Sequence, residues 1–272
     1  MVIISAVNQK GGVGKTTLIF HLAYLLAKEF RTLVIDLDPQ AALTAAYGID
    51  IDTLETGIDD VLESYALRIS KGKRVRILDV AKEVEWGGSK LILVPSREFL
   101  EKLNVTLSNV FGRERVLAKA LEDLDGFDVV LIDTQPTFSL LTINAMVASD
   151  YILVPVRTTY LSLHGLTLLL DMVKLIQEDL NPKLKILGFI PFEHEKKLVS
   201  ARKNLERLKE FEDLVKIYPP VPKSSSFEKS LEEKKSLTSY NQKTAKEALK
   251  VFEKVIEDIR KIVRSDGNGY SG

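Results

Sequence analysis

Hydrophobic positions along the chain follow two alternating patterns. Short β-branched runs occur at Val2–Val7, Thr32–Ile35, Leu91–Val94, Val129–Ile132, Tyr151–Val154 and Leu184–Ile190, with a weaker one at Val215–Ile217. Several are continuously apolar rather than alternating, as strands covered on both faces require. Between them lie segments with helical spacing. From Thr16 to about Lys28, Leu18, Leu22, Leu25 and Leu26 form one stripe. From about Thr244 to Val263, Ala248, Val251, Phe252, Val255, Ile259 and Ile262 recur in the same way. Strands alternating with helices predict a single α/β domain over residues 1–264, a mostly parallel twisted sheet flanked by helices on both faces. Ser265–Gly272 is polar and glycine-rich and is expected to be a frayed tail. The pattern assigns no element within Asp50–Lys90.

Composition narrows the function classes. Of 272 residues, 45% are hydrophobic and 28% charged, which suits a soluble globular protein rather than a disordered one. The 38 basic and 38 acidic residues cancel, so any nucleic-acid surface has to be a local patch. No cysteine is present, which excludes disulfides, thiolate-bound zinc and iron–sulfur clusters. The first apolar run is too short for a signal segment, and no stretch approaches the roughly 20 apolar residues of a membrane span. A cytoplasmic location is expected.

The first strand runs into Asn8-Gln9-Lys10-Gly11-Gly12-Val13-Gly14-Lys15-Thr16-Thr17, where a helix begins. Glycines let the backbone curl so that consecutive N–H groups converge on one anion, and the helix behind adds its positive end. Lys15 is placed to bridge the β- and γ-phosphates, and the Thr16 hydroxyl to ligate Mg²⁺. The general pattern has glycine six residues before the lysine, where this chain has Gln9. The strand–loop–helix context outweighs that departure.

A second lysine opens the loop. The segment Lys10-Gly11-Gly12-Val13-Gly14-Lys15-Thr16 resembles the deviant Walker A motif of the ParA/MinD family of P-loop ATPases. The resemblance implies that ATP is held by Lys10, Gly11, Gly12, Val13, Gly14, Lys15, Thr16 and Thr17. It also implies that Lys10 reaches across a dimer interface to the partner's nucleotide.

Two further strands end in carboxylates. Arg31-Thr32-Leu33-Val34-Ile35-Asp36-Leu37-Asp38-Pro39-Gln40 brings Asp36 and Asp38 to the carboxyl edge of the sheet, where ligands gather. Beside Mg²⁺ and a γ-phosphate, a carboxylate can hold a metal-bound water or orient the attacking one. The segment matches the family's Asp-x-Asp-Pro-Gln switch, which implies that Asp38 orients the hydrolytic water and Asp36 supports the Mg²⁺ shell. Phe127-Asp128-Val129-Val130-Leu131-Ile132-Asp133-Thr134-Gln135-Pro136 is similar to a Walker B strand, with Asp133 in the Mg²⁺ shell. Gln135 stands where the family usually has proline. The resemblance continues through Leu140–Ala145 and Asp150–Val156 and fades towards the end of the chain.

Later segments say less. Pro219-Pro220-Val221-Pro222-Lys223-Ser224 aligns loosely with the family loop that frames adenine, which implies nucleotide contacts at Pro222 and Ser224. A proline-rich turn before a helix accounts for it equally well. His21, His164 and His194 lack metal-ligand spacing, and Trp86 beside Gly87-Gly88 reads as a loop aromatic. Lys196, Lys197, Arg202, Lys203 and Arg207 read as one helical stretch, with Lys223 nearby. In the family, basic residues here touch DNA phosphates without reading sequence. The interleaved Glu193, Glu195, Glu206 and Glu210 equally suit a solvated face. The polar tail offers no amphipathic membrane anchor, so no membrane partner is expected.

The resemblance therefore implies a ParA/Soj-type partition ATPase, nucleoid-associated, whose ATP-bound homodimer binds non-specific DNA. A ParB-like centromere-binding partner would stimulate its hydrolysis. The alternatives are a positioning ATPase for a protein cargo, a MinD-like regulator without DNA segregation, and a small-molecule kinase.

Overall fold

A computed structural model describes residues 1–67, 74–86, 88–160 and 163–267. Seven strands form one sheet: β1 (Val2–Ala6), β2 (Thr32–Leu37), β3 (Lys82–Trp86), β4 (Ser89–Val94), β5 (Val129–Thr134), β6 (Tyr151–Arg157) and β7 (Lys185–Phe192), in the order β3-β4-β2-β5-β1-β6-β7. Among the described residues only the β3–β4 pairing is antiparallel. The described helices are α1 (Lys15–Leu26), α2 (Ala42–Ala46), α3 (Ile58–Ala66), α4 (Ile77–Val80), α5 (Phe99–Leu107) and α6 (Val116–Glu122) in the first half. They continue with α7 (Leu140–Ala148), α8 (Leu163–Asp179), α9 (Val199–Lys209), α10 (Ser226–Glu232) and α11 (Lys243–Gly267).

Successive strand residues point to opposite faces, so the apolar runs feed two layers at once. Val34 and Leu131 join α1, α10 and α11 in one core, while Leu33, Ile35, Val130 and Ile132 join α3, α5, α6 and α7 in the other. A third cluster packs β6 and β7 against α8. The α11 stripe is buried as its spacing predicts: Ala248, Phe252, Val255 and Ile259 are fully covered. Phe252 stacks on the buried ring of His21 in α1, with centroids 5.7 Å apart, so His21 is a core residue.

Three readings change. Trp86 lies in a strand, β3, whose Trp86↔Ser89 pairing closes a hairpin on β4. Val215–Ile217 is not a full strand: Ile217 makes a single parallel bridge to Phe189. Pro219 and Pro220 follow and lack the N–H groups a ladder needs. Finally, α11 continues to Gly267, past the predicted end at Val263. The remainder of the expected tail, residues 268–272, lies outside the described residues.

Candidate functional site

The three central strands end side by side. Ala6 of β1 pairs with Asp133 of β5, and Asp133 pairs with Asp36 of β2, so both carboxylates and the loop after β1 share one edge. Strands β2 and β5 run two residues beyond their predicted ends, which sets Asp36 and Asp133 inside the sheet with no exposed surface. Asp38 follows in the turn.

The loop from Asn8 to Gly14 is held by its own first residue. The Asn8 side chain donates to the Pro155 carbonyl at 2.8 Å and accepts from the Lys10 N–H at 2.9 Å. The Asn8 carbonyl accepts from the Lys15 ammonium at 3.3 Å. Gly14 caps α1 in the left-handed region, φ +94°, and a Cβ there would meet the Phe192 ring at 2.5 Å. Only glycine satisfies both conditions. The result is a cavity of about 260 Å³ lined by Gly11 to Thr17 together with Asp38, Pro136 and Glu193.

Charge in this cavity is unbalanced in a specific way. Lys15 is 6% exposed. Burial lowers its pKa, against the opposing pull of the Asp133 and Asp38 carboxylates. Thr16 Oγ1 donates to Asp133 Oδ2 at 2.7 Å, while Asp133 Oδ1 is buried without a partner. Burial, and after it the charge of Asp36, push Asp133 up to about 8. Burial likewise raises Asp36 to about 6, against hydrogen bonds from Thr44 and the Asp38 N–H. A hydroxyl and an orphaned carboxylate oxygen at the foot of a glycine cradle form a donor set suited to Mg²⁺. Among the described residues no group of three or more His, Cys, Asp or Glu could hold a metal.

The other expected residues are distributed around this cavity. Lys10 is exposed and directly precedes Gly11, the first residue lining the cavity. The Asp36 oxygens are occupied by Thr44 N and Oγ1 at 2.8 and 2.7 Å and by Asp38 N at 3.2 Å, so Asp36 organises the loop beside the cavity rather than lining it. Pro222 is bridged to His194, one residue from the cavity-lining Glu193. The Ser224 hydroxyl lies 2.8 Å from that of Thr244 and accepts from the Ser226 N–H. Neither Pro222 nor Ser224 lines the phosphate cavity.

Lys196, Lys197, Arg202, Lys203, Arg207 and Lys223 are all exposed. Lys196 pairs with Glu247 at 3.8 Å and Lys223 with Glu195 at 3.1 Å. Helix α9 begins only at Val199, so Lys196 and Lys197 precede it rather than sharing its face. Sequence reading missed Arg157, whose guanidinium reaches the Gly12 carbonyl at 3.4 Å and pairs with Glu193. The signal was present, since β6 is another apolar strand ending in a charge.

A parallel sheet with a glycine cradle, a buried lysine and a Thr–Asp pair at its carboxyl edge defines a P-loop nucleotide-binding protein. A family profile described as AAA domain matches residues 1–186. An uncharacterized protein of Methanocaldococcus jannaschii is 37% identical over 89% of this chain and 92% of its own length. The sporulation initiation inhibitor protein Soj of Bacillus subtilis is 37% identical over 69% of this chain and 71% of its own. Among solved structures, cobyrinic acid a,c-diamide synthase from Mycobacterium smegmatis with bound ATP analog and magnesium superposes with a TM-score of 0.72. It is 31% identical and covers 84% of this chain and 89% of that one. The chain belongs to the ParA/MinD-type family of P-loop ATPases. Among the described residues no helix is long and apolar enough to cross a membrane.

Proposed function

We propose that this chain binds ATP with Mg²⁺, hydrolyses it, and uses the cycle to switch between monomer and a DNA-bound dimer in partition. The observation that carries the reading is the Thr16–Asp133 hydrogen bond, with its unpartnered second oxygen, set at the foot of the glycine loop and beside Lys15. The relative solved with an ATP analog and magnesium supports the choice of ligand, and the likeness to the chromosome partitioning protein ParA of Myxococcus xanthus, 36% identical over 69% of this chain and 63% of its own length, supports the partition class.

In this reading the N–H groups of Gly11 to Thr17 and the Lys15 ammonium hold the phosphates. Thr16 and Asp133 would hold Mg²⁺, with Asp36 supporting them through the adjoining loop, and the ion would supply positive charge against the phosphates. Asp38 orients a water whose oxygen attacks the γ-phosphorus. The bond to the β-phosphate oxygen breaks, giving ADP and phosphate. Lys10 of each subunit closes on the partner's phosphates. Pro222 and Ser224 stand near the base. Lys196, Lys197, Arg202, Lys203 and Lys223 attract DNA phosphates, and a ParB-like protein stimulates turnover.

The test is sizing of the full chain with ADP, and then with ATP and Mg²⁺, with and without random-sequence DNA. Dimer and DNA retardation only with ATP and Mg²⁺ support the reading. Lys10→Ala should lose both the dimer and hydrolysis; a mutant that pairs and turns over normally removes the sandwich arrangement.

A further inference from the structure

We propose that Ser96 is a positioning residue for hydrolysis: it fastens the Asp38 turn to the sheet so that the carboxylate stays aimed at the phosphate cavity. The proposal rests on the reading of Asp38 given above.

Ser96 lies just beyond β4, the neighbour of β2 in the sheet, and is fully buried. Its hydroxyl donates to the Asp38 carbonyl at 2.7 Å, and its N–H donates to Thr44 Oγ1 at 3.0 Å. The Thr44 hydroxyl in turn donates to Asp36 Oδ2 at 2.7 Å, and the Asp38 N–H donates to Asp36 Oδ1 at 3.2 Å. These bonds close a ring through Asp36, Thr44, Ser96 and Asp38. Asp36 lies within β2, Asp38 in the turn after it, Thr44 in α2 and Ser96 just beyond β4.

The far side of Ser96 is equally fixed. The Pro95 carbonyl accepts from the Ile58 N–H at 2.9 Å. Arg97 reaches Asp59 through Nε at 3.0 Å and Asp60 through Nη2 at 2.7 Å, at the start of α3. Ser96 therefore sits on a stiff support and hands that stiffness to Asp38.

Without its hydroxyl, the Asp38 carbonyl keeps only the local bond from the Ala41 N–H at 2.9 Å. That bond lies within the same turn and moves with it. The Asp38 side chain has its own local bond, Gln40 N–H to Oδ1 at 3.0 Å, which also travels with the turn. The Ser96 hydroxyl and the Asp38 N–H to Asp36 contact are the two bonds that tie Asp38 to the sheet. A group that orients an attacking water is sensitive to such ties, because a misplacement of about 1 Å can cost on the order of a hundredfold in rate. Nucleotide contacts made by the loop after β1 do not pass through Ser96, so affinity is insulated from the change.

The experiment compares the full chain with Ser96→Ala, Ser96→Gly and Asp38→Ala in ATP hydrolysis with Mg²⁺, and in binding of a fluorescent ADP analogue. Ser96→Ala and Ser96→Gly are expected to lower kcat about tenfold while KM and ADP affinity stay within about twofold of wild type. A simple loosening of the fold would move affinity and thermal midpoint together with kcat. An unchanged kcat, or an equal loss of nucleotide affinity, overturns the proposal. Asp38→Ala turning over at the wild-type rate overturns the assignment of Asp38 itself. An inactive Asp38→Ala beside an unaffected Ser96→Ala overturns only the role of Ser96.

Discussion

Thr16 Oγ1 donates to Asp133 Oδ2 over 2.7 Å, and the other oxygen of that carboxylate is buried without a partner. Burial and the Asp36 charge raise Asp133 from 3.8 to about 8, so the metal-free protein favours its protonated form. For a carboxyl group raised on folding, the stabilising contribution is complete below the unfolded value and is lost as pH rises through the folded one. Metal-free protein is therefore expected to lose a few kcal/mol between about pH 4 and pH 8 at this residue. Mg²⁺ with ATP selects the ionised form, so its gain in melting temperature is larger at pH 8.5 than at pH 6. Thermal melts of wild type and Asp133→Asn across this range check both points. The variant is expected to show a flatter metal-free profile and little gain from Mg²⁺. A wild-type gain independent of pH would exclude Asp133 from the metal shell.

Gly14 carries a second, steric prediction. Its φ of +94° strains any L side chain, and a Cβ would overlap the Phe192 ring at 2.5 Å. Gly14→Ala is expected to cost about 3 kcal/mol and to weaken nucleotide binding at least tenfold. Adding Phe192→Leu removes the overlap but not the backbone strain, so denaturant unfolding of the double variant should recover part of the loss. Complete recovery would show that the left-handed conformation is not required.

How far the sequence disclosed this arrangement depends on the range of each contact. The strands carrying Asp36 and Asp133 were legible because an apolar run ending in a carboxylate is a local signal. The phosphate loop was legible for the same reason. Strand β3 was not, since Lys82-Glu83-Val84-Glu85-Trp86 alternates charge with apolar residues at the sheet edge and pairs antiparallel to its neighbour. The Val215–Ile217 run has the composition of a strand, yet the prolines after it limit it to one bridge. Thr44 and Ser96 gave no signal at all. Their bond spans 52 residues, and Ser96 meets Asp38 across 58, so only the sheet order β4-β2 brings them together.

His21 supplies an acid-side prediction. The ring is fully buried in α1, with Nε2 3.2 Å from Ser230 Oγ and its face on Phe252. Burial lowers its pKa from 6.5 to about 3. A histidine depressed on folding contributes stability that is complete above its unfolded value and is lost as pH falls towards the folded one. Between about pH 6 and pH 3.5 this residue is expected to contribute a slope of up to about 1.4 kcal/mol per pH unit. His21→Gln, which retains a polar group for Ser230, is expected to reduce the slope by that amount in urea unfolding. Equal slopes for the two proteins would mean that the ring is protonated inside the fold.

The DNA-facing assignment makes a prediction about salt rather than affinity alone. Lys197, Arg202 and Lys203 are exposed around the start of α9, whereas Lys196 and Lys223 share their charge with Glu247 and Glu195. Exposed ion pairs of that kind are weak, so they dilute the local field without fixing the side chains. If Lys197, Arg202 and Lys203 meet phosphates, replacing all three by alanine removes about three released counterions. The slope of log K against log salt for random-sequence duplex is then expected to become shallower by about 2.7. Dimerisation with ATP and the hydrolysis rate without DNA should be unchanged, because none of the three lines the phosphate cavity. Titration of labelled duplex at several salt concentrations, on wild type and the triple variant, provides the measurement. An unaltered slope places the DNA contacts on another face of the domain.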